Sequence, residues 1–262
     1  MSRCFRLVME YSGAAYHGFK FQGELPTIEG ELRRAAERLA GEPVETLGAS
    51  RTDTGVHALG QCVRLQMRTN LEPAKLARAL AAHMPVDIGI VRCEEIAATF
   101  DPRRDAQSKR YLYYIQNRAR RPVIATQFAW WVRAPLDAAR MHTAAQCLVG
   151  EHDFAALQNH SKDMPLTTVR TVFAIDWRRR ADAVVLQVIG SGFLYRMVRN
   201  IVGTCVEIGR GAWDGERLRE ALNARDRRLA GPSAPAHGLY LMEICYPGMH
   251  ALEIDENPVA PS

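Results

Sequence analysis

Val184-Val-Leu-Gln-Val-Ile-Gly190-Ser-Gly192-Phe-Leu-Tyr-Arg196-Met-Val-Arg199-Asn-Ile-Val-Gly-Thr-Cys-Val-Glu-Ile208 changes its hydrophobic period in mid-course. Val184, Leu186 and Val188 alternate with their neighbours, the period of a half-buried strand. From Leu194 the apolar residues Met197, Val198, Ile201, Val202, Cys205 and Ile208 fall at helical spacing. A strand that feeds an apolar helix calls for a sheet with helices laid on it. Upstream, Phe173, Ile175 and Trp177 alternate, with a polar turn near Arg180-Ala181-Asp182 before Val184. Residues 110–116 read as a strand and Asp137–Leu148 as a helix, with Met141, Ala145 and Leu148 facing inward. Downstream come a short helix capped by Asp214, a Pro/Ala/Gly-rich loop over 230–238 and a closing strand around Leu239–Cys245.

The first part of the chain repeats that order. Phe5, Leu7, Met9 and Tyr11 alternate within 4–11, and Ile28, Leu32, Ala35, Ala36 and Leu39 share a helical face that opens at Thr27. A short strand over 44–49 precedes the alternating Val63, Leu65 and Met67. A helix follows Pro73 to about Ala82, and a strand runs Val86–Cys93. The order βαββαβ is the split-βαβ plan. The expected class is α+β: two ferredoxin- or RRM-like halves whose antiparallel sheets join into one extended mixed sheet. The expected boundaries are 1–105 and 106–248, followed by a disordered acidic tail over 249–262.

The charge is uneven. Residues 1–98 balance 12 basic against 12 acidic side chains, whereas 99–133 hold 8 against 2 and 178–228 hold 11 against 6. Two basic blocks suit a polyanionic partner, nucleic acid first; a solvated arginine-rich surface gives the same count, since only four of the 34 basic residues are lysine. No apolar run approaches the ~20 residues of a membrane span, and the N-terminus has no signal-peptide pattern. Six scattered cysteines without a C-x-x-C pair suggest buried thiols in a reducing cytoplasm. Without paired cysteines or H-x₃₋₅-H spacing, zinc is not implied.

Three clusters could carry chemistry. Gly48-Ala-Ser-Arg51-Thr-Asp53-Thr-Gly55-Val-His57-Ala-Leu-Gly60-Gln61 sets one carboxylate in a glycine-bounded turn, two residues after an arginine. Such an aspartate either closes an Asx-turn on its own backbone or stands ionised as nucleophile or base. Glu151-His152-Asp153 reads as a helix-end cap. Lys109-Arg110-Tyr111-Leu-Tyr113-Tyr114 puts Tyr111 and Tyr113 on one strand face and Tyr114 on the other. These rings either stack on bases, with cations on the phosphates, or pack as ordinary strand residues. In Gly190–Asn200, Arg196 reads as a surface arginine, while Arg199-Asn200 within so apolar a helix needs a buried partner.

Arg51-Thr-Asp53-Thr-Gly55-Val-His57-Ala resembles the catalytic loop G-R-T-D-A-G-V-H-A of the tRNA pseudouridine synthase A family. Tyr16-His-Gly18-Phe, Thr27-Ile-Glu-Gly30, Met84-Pro-Val-Asp87-Ile, Arg110-Tyr111-Leu-Tyr113, Gly150-Glu-His-Asp-Phe154, Gly192–Gly203 and Ala234-Pro-Ala-His-Gly-Leu-Tyr-Leu241 are similar to further family motifs in the same order. Together they reach from residue 3 to about 247. The resemblance implies the pseudouridine synthase fold and isomerisation of uridine in the anticodon arm of tRNA, at positions 38, 39 or 40. It implies no cofactor and no metal, a cytoplasmic homodimer with tRNA spanning both subunits, and no membrane. Residue by residue, it makes Asp53 the nucleophile, Tyr111 the ring that stacks on the uracil and takes the C5 proton, and Arg199 the partner of the carboxylate. Arg51 becomes the group that fills the space of the flipped base, and Leu239 lines the pocket. Ser50 and Thr54 depart from the small residues usual beside the motif, and Phe100-Asp-Pro-Arg103 departs from Phe-His-Ala-Arg. Without the resemblance, a non-catalytic tandem RNA-binding protein would account for the basic blocks and the tyrosines, and a metal-dependent nuclease would need a second carboxylate cluster.

Overall fold

A computed structural model describes residues 2–160 and 165–248, so the expected tail lies outside the described residues. The chain divides into two compact units, one ending at Gln107 but regaining the chain from Tyr240, the other Ser108–Leu239. Both are α+β.

The first unit follows the expected order: β1 (Ser2–Tyr11), α1 (Ile28–Ala40), β2 (Glu45–Gly48), β3 (His57–Arg68), α2 (Pro73–Ala81) and β4 (Ile88–Ile96). The central strand β1 pairs antiparallel with β3, Leu7 opposite Val63, and with β4, Leu7 opposite Cys93. β2 pairs with the later part of β3, Gly48 opposite Val63. α1 starts where the sequence places it, because the Thr27 side chain accepts the Gly30 N–H. The alternation in β1 marks only one of two buried faces. Phe5, Leu7 and Met9 fill one, and Cys4, Arg6 and Val8 are buried on the other. Arg6 reaches that face because Glu94 pairs with its guanidinium and the Tyr246 ring lies 6.0 Å away.

The second unit holds β5 (Ser108–Asn117), β6 (Trp130–Val132), α3 (Ala138–Ala145), β7 (Gly150–Asp153), β8 (Val169–Arg180), β9 (Ala183–Gly190), α4 (Met197–Gly209) and α5 (Arg217–Ala224). Its strands run β5-β9-β8-β7, with β6 parallel to β5. β8 shifts register between Val172 and Ala174, so Phe173 turns outward while Val172, Ile175 and Trp177 stay buried. α4 begins at Met197 rather than near Leu194, since Arg196 sits at φ 60 and cannot continue a right-handed helix. Asp214 caps the turn ahead of α5, accepting the Glu216 N–H at 2.9 Å, and not the helix itself. Glu151-His152-Asp153 lies in β7, where Asp153 accepts the Ala155 N–H at 3.1 Å.

The closing strand β10 (Leu239–Cys245) leaves the second half to which its sequence position assigns it. Tyr240 and Leu241 pair parallel with His57 and Ala58 of β3, which puts the strand in the first unit. Order along the chain carries no signal for a parallel pairing between segments nearly 200 residues apart.

Candidate active site

The loop 49–56 joins β2 to β3 and carries Arg51 and Asp53. Its backbone is tied at Ala49, Ser50, Thr52, Asp53 and Val56. The Ala49 N–H donates to the Cys62 carbonyl at 2.8 Å. Gln61, fully buried, accepts the Ser50 N–H at 3.2 Å and donates to the Ser50 carbonyl at 2.7 Å. The Thr52 and Tyr11 hydroxyls share a hydrogen bond of 2.8 Å, and the Thr52 carbonyl accepts the Phe19 N–H at 3.0 Å. A backbone bond of 3.1 Å from the Val56 N–H to the Asp53 carbonyl closes a turn that has Gly55 at φ 80. Asp53 is half-buried and Arg51 exposed.

The motifs that looked separate in sequence support this loop. Gly18, at φ 90, lies so close that a Cβ would stand 2.7 Å from the Thr52 carbonyl oxygen. Only glycine fits there. Tyr16 is held by Asp87, its hydroxyl donating to Oδ1 at 2.6 Å; burial and that bond push the phenol well above its ordinary range. The buried Glu29 accepts the Phe21 N–H at 2.8 Å and the Thr46 hydroxyl at 3.0 Å, and pairs with Lys20 at 3.0 Å. Segment 16–21 is thereby fastened between α1 and β2, against the loop. At the far end of the loop, the Gly13 N–H donates to Nδ1 of His57 at 3.2 Å, which leaves a neutral ring's proton on Nε2. That ring stacks on Tyr240, centroids 4.9 Å apart. Gln61 is the brace whose role sequence reasoning missed. It was legible, since a polar residue stands in phase with the inward Val63, Leu65 and Met67.

Tyr111, Arg199 and Leu239 lie in the second unit. Tyr111 is nearly buried on β5, edge-on to Phe193 with centroids 5.2 Å apart. Tyr113, two residues on, is a core residue: it is wholly buried and its hydroxyl donates to the Pro235 carbonyl at 2.7 Å. Burial raises its pKa far above that of a free phenol. Tyr114 is buried on the opposite face, beside a recess lined by Leu112, Arg178 and Gln187.

The apolar helix α4 holds the loop 230–238. Nε of Arg199 donates to the Ala234 carbonyl at 2.7 Å, and the Ala234 N–H returns to the Arg199 carbonyl at 3.0 Å. The buried Asn200 donates to the Leu157 carbonyl at 2.7 Å and to Oδ1 of Asn159 at 2.8 Å. Its own Oδ1 accepts from Arg227 at 3.1 Å and from the Ser233 hydroxyl. The Thr204 hydroxyl accepts the Gly231 N–H at 2.9 Å. At Gly203 a Cβ would sit 1.7 Å from the Pro232 oxygen, so the loop lies directly on the helix backbone. These contacts supply the buried partners that Arg199-Asn200 required, and Leu239, buried, follows the loop at once. Arg196 is half-buried rather than a plain surface arginine, its guanidinium 5.1 Å from the Tyr195 ring centroid.

Among the described residues no group of three or more His, Cys, Asp or Glu could hold a metal ion, and no helix is long and apolar enough to cross a membrane. Residues 7–103 and 144–247 match the family model described as tRNA pseudouridine synthase. Arg51, Asp53, Arg199 and Leu239 fall inside the matched residues, and Tyr111 between them. The tRNA pseudouridine synthase A of Brevibacillus brevis is 41% identical over 241 residues, 92% of this chain and 98% of its own. That of Rhodospirillum rubrum is 40% identical over 247 residues, 93% and 88% of the two chains. That of Azorhizobium caulinodans is 38% identical over 244 residues, 93% and 94%.

Proposed function

The chain belongs to the tRNA pseudouridine synthase A family and isomerises uridine in tRNA, and on that premise we propose that Asp53 is its nucleophile, acting at positions 38, 39 or 40 of the anticodon arm. The reaction breaks the N1–C1′ bond, turns the base, joins C5 to C1′, removes the C5 proton and leaves a proton on N1. No electron is gained or lost. One carboxylate suffices to start it, by attack on C6 of the uracil or on C1′ of the ribose.

The observation that carries this reading is the support of the loop 49–56. Gln61 and the Thr52–Tyr11 pair fasten the chain ahead of a half-buried Asp53, Gly18 lets segment 16–21 pack against it, and the Val56 N–H closes the turn behind it. A nucleophile on so fixed a turn needs little reorganisation to meet a flipped base. In the same proposal Arg199 is the cationic partner of the carboxylate, and Tyr111 stacks on the uracil and takes the C5 proton. Leu239 lines the pocket, and Arg51 fills the space that the base leaves. Tyr113 takes no part, because its hydroxyl is committed to Pro235.

The test is to incubate the protein with an unmodified tRNA transcript, with and without EDTA, and map pseudouridine. Formation at 38, 39 or 40 in both arms, lost in Asp53→Asn, supports the reading. Unchanged turnover in Asp53→Asn would remove the nucleophile assignment, and binding without product would favour a tandem RNA-binding protein. The proposal includes a cytoplasmic homodimer with tRNA spanning both subunits. Sedimentation of the free protein and of its tRNA complex tests the dimer.

A further inference from the structure

Asp101 stands where the family pattern has histidine, and it builds a closed turn. Its Oδ1 accepts the Arg103 N–H at 2.8 Å and the Arg104 N–H at 3.1 Å. Its own N–H donates to Oδ2 of Asp105 at 2.9 Å, and the Asp105 N–H returns to the Asp101 carbonyl at 3.0 Å. These backbone donors hold the Asp101 carboxyl below its usual range, that from Arg104 most of all. Pro102 follows the capping residue, where its fixed φ suits the turn and its missing N–H is not needed. Two side chains pin the turn to the first unit: Arg64 donates to the Phe100 carbonyl at 3.2 Å and the Tyr246 hydroxyl to the Pro102 carbonyl at 2.8 Å.

The exposed arm of this turn is Arg103. Its Nε donates to the Gly48 carbonyl at 2.9 Å, at the last residue before the loop of Asp53. Nη1 and Nη2 make no hydrogen bond or ion pair with any described residue. Partial burial and, after it, the neighbouring charge of Arg51 lower the Arg103 pKa, against the opposing charges of Glu29 and Asp101. A guanidinium tethered through Nε keeps its two terminal nitrogens for an anion, and phosphate fits that geometry.

We propose that Asp101 is a positioning residue that fixes Arg103 as a phosphate-binding arm beside the Asp53 loop. The inference rests on the reading of the loop as the site where tRNA is modified. The expected occupant is a backbone phosphate of the strand that bears the target uridine. The carboxylate acts on RNA only through Arg103, so the losses caused by the two residues must not add.

The experiment is a double-mutant cycle on the full chain with a tRNA transcript, measuring Kd against salt and the single-turnover rate at saturating tRNA. Arg103→Ala and Asp101→Ala should each raise Kd about fivefold, the size of one charge-assisted contact at a surface. Each should flatten the salt dependence by about one phosphate contact. The double variant should bind no worse than Arg103→Ala, and the loss should fall on Kd rather than on the saturated rate. Asp101→Asn, which keeps an acceptor oxygen, should restore most of the affinity. If Asp101→Ala folds poorly, Asp101→Gly enters the same cycle, since glycine is tolerated at a cap far better than alanine. Additive losses, an unchanged salt slope or an unaffected Arg103→Ala would overturn the proposal. Those results with normal pseudouridine formation in the parent chain would leave the Asp53 reading intact. A parent chain that forms none would remove that reading instead.

Discussion

The loops 49–56 and 230–238 are each braced by one buried amide, Gln61 in the first and Asn200 in the second, yet the company of each amide differs. Gln61 works with the neutral hydroxyls of Thr52 and Tyr11. Asn200 works with two guanidinium groups, since Arg199 holds the Ala234 carbonyl and Arg227 holds both Asn200 and the Ala230 carbonyl. Neutral hydrogen bonds contribute about 1 kcal/mol net apiece, whereas a charged donor stripped of its partner in a buried site costs more. The first loop therefore has its position secured at modest stability, and the second has its stability tied to its position. Damage to the first should appear as lost rate, damage to the second as lost fold.

The largest expected effect lies in the first loop. Asp53→Asn keeps the shape of the side chain and removes the proposed nucleophile, so pseudouridine formation should fall by about 10⁴-fold or more while tRNA binding and the melting temperature stay near those of the parent. A matching collapse in melting temperature would mean that Asp53 belongs to the scaffold, and the contrast between the loops would fail. On β5 the comparison can be made two residues apart. Tyr111→Phe should slow turnover by about 10²-fold with tRNA affinity retained, since it removes the proposed proton-transfer group and keeps the ring. Tyr113→Phe should instead cost about 1 kcal/mol of stability through the lost bond to Pro235. Equal losses of binding and rate in Tyr111→Phe would make that residue a packing group as well.

The braces themselves sharpen the contrast. Asn200→Leu strands the Leu157 carbonyl and takes one of three acceptors from the Arg227 guanidinium, and should cost about 3 kcal/mol in denaturant unfolding. Gln61→Leu removes the partner of the Ser50 backbone and a longer bond to the Tyr11 hydroxyl, all neutral groups, and should cost about 1.5 kcal/mol, with a loss of rate larger than its loss of stability accounts for. Equal stability losses would say that the charged company of Asn200 adds nothing. Gly203→Ala, against the Pro232 oxygen, should cost about 3 kcal/mol, and Gly215→Ala, whose nearest neighbour would be 3.8 Å away, little.

What was legible in the sequence divides along the same physical line. Features set by neighbours in the chain could be read: the Thr27 cap, the alternation of Val184, Leu186 and Val188, the helical face from Met197 to Ile208. The α+β class followed from them. Arg196 and Phe173 went the other way, because a positive φ and a one-residue bulge leave the hydrophobic period untouched while they move a helix start and turn a ring outward. The strand β6 is three residues long, too short for any period to register. The parallel pairing of Tyr240 with His57 depends on partners far apart in sequence. In the site, the motifs pointed to the loop and to Arg199-Asn200 as demanding partners. They could not say that the partner of Asn200 is backbone from 157 and side chains from 159, 227 and 233, because carbonyls and turns carry no residue-type signal.

The smallest effect separates the two roles open to Arg51. A uridine within a paired stem must leave its stack before Asp53 can reach it, at a cost of a few kcal/mol. Arg51 is exposed and stands two residues from Asp53 on a backbone fastened at Ser50 and Thr52. If its guanidinium fills the vacated space, its benefit scales with the cost of flipping. Arg51→Ala should then slow a stem-paired target severalfold more than an unpaired loop target, in single-turnover rates on two tRNAs. Binding should weaken by less than about tenfold, since other cations still meet the phosphates. An equal slowdown on both targets would instead assign Arg51 to orienting Asp53 itself. In that case the first loop would rely on a charge for its geometry as the second does, and the difference between them would be one of burial alone.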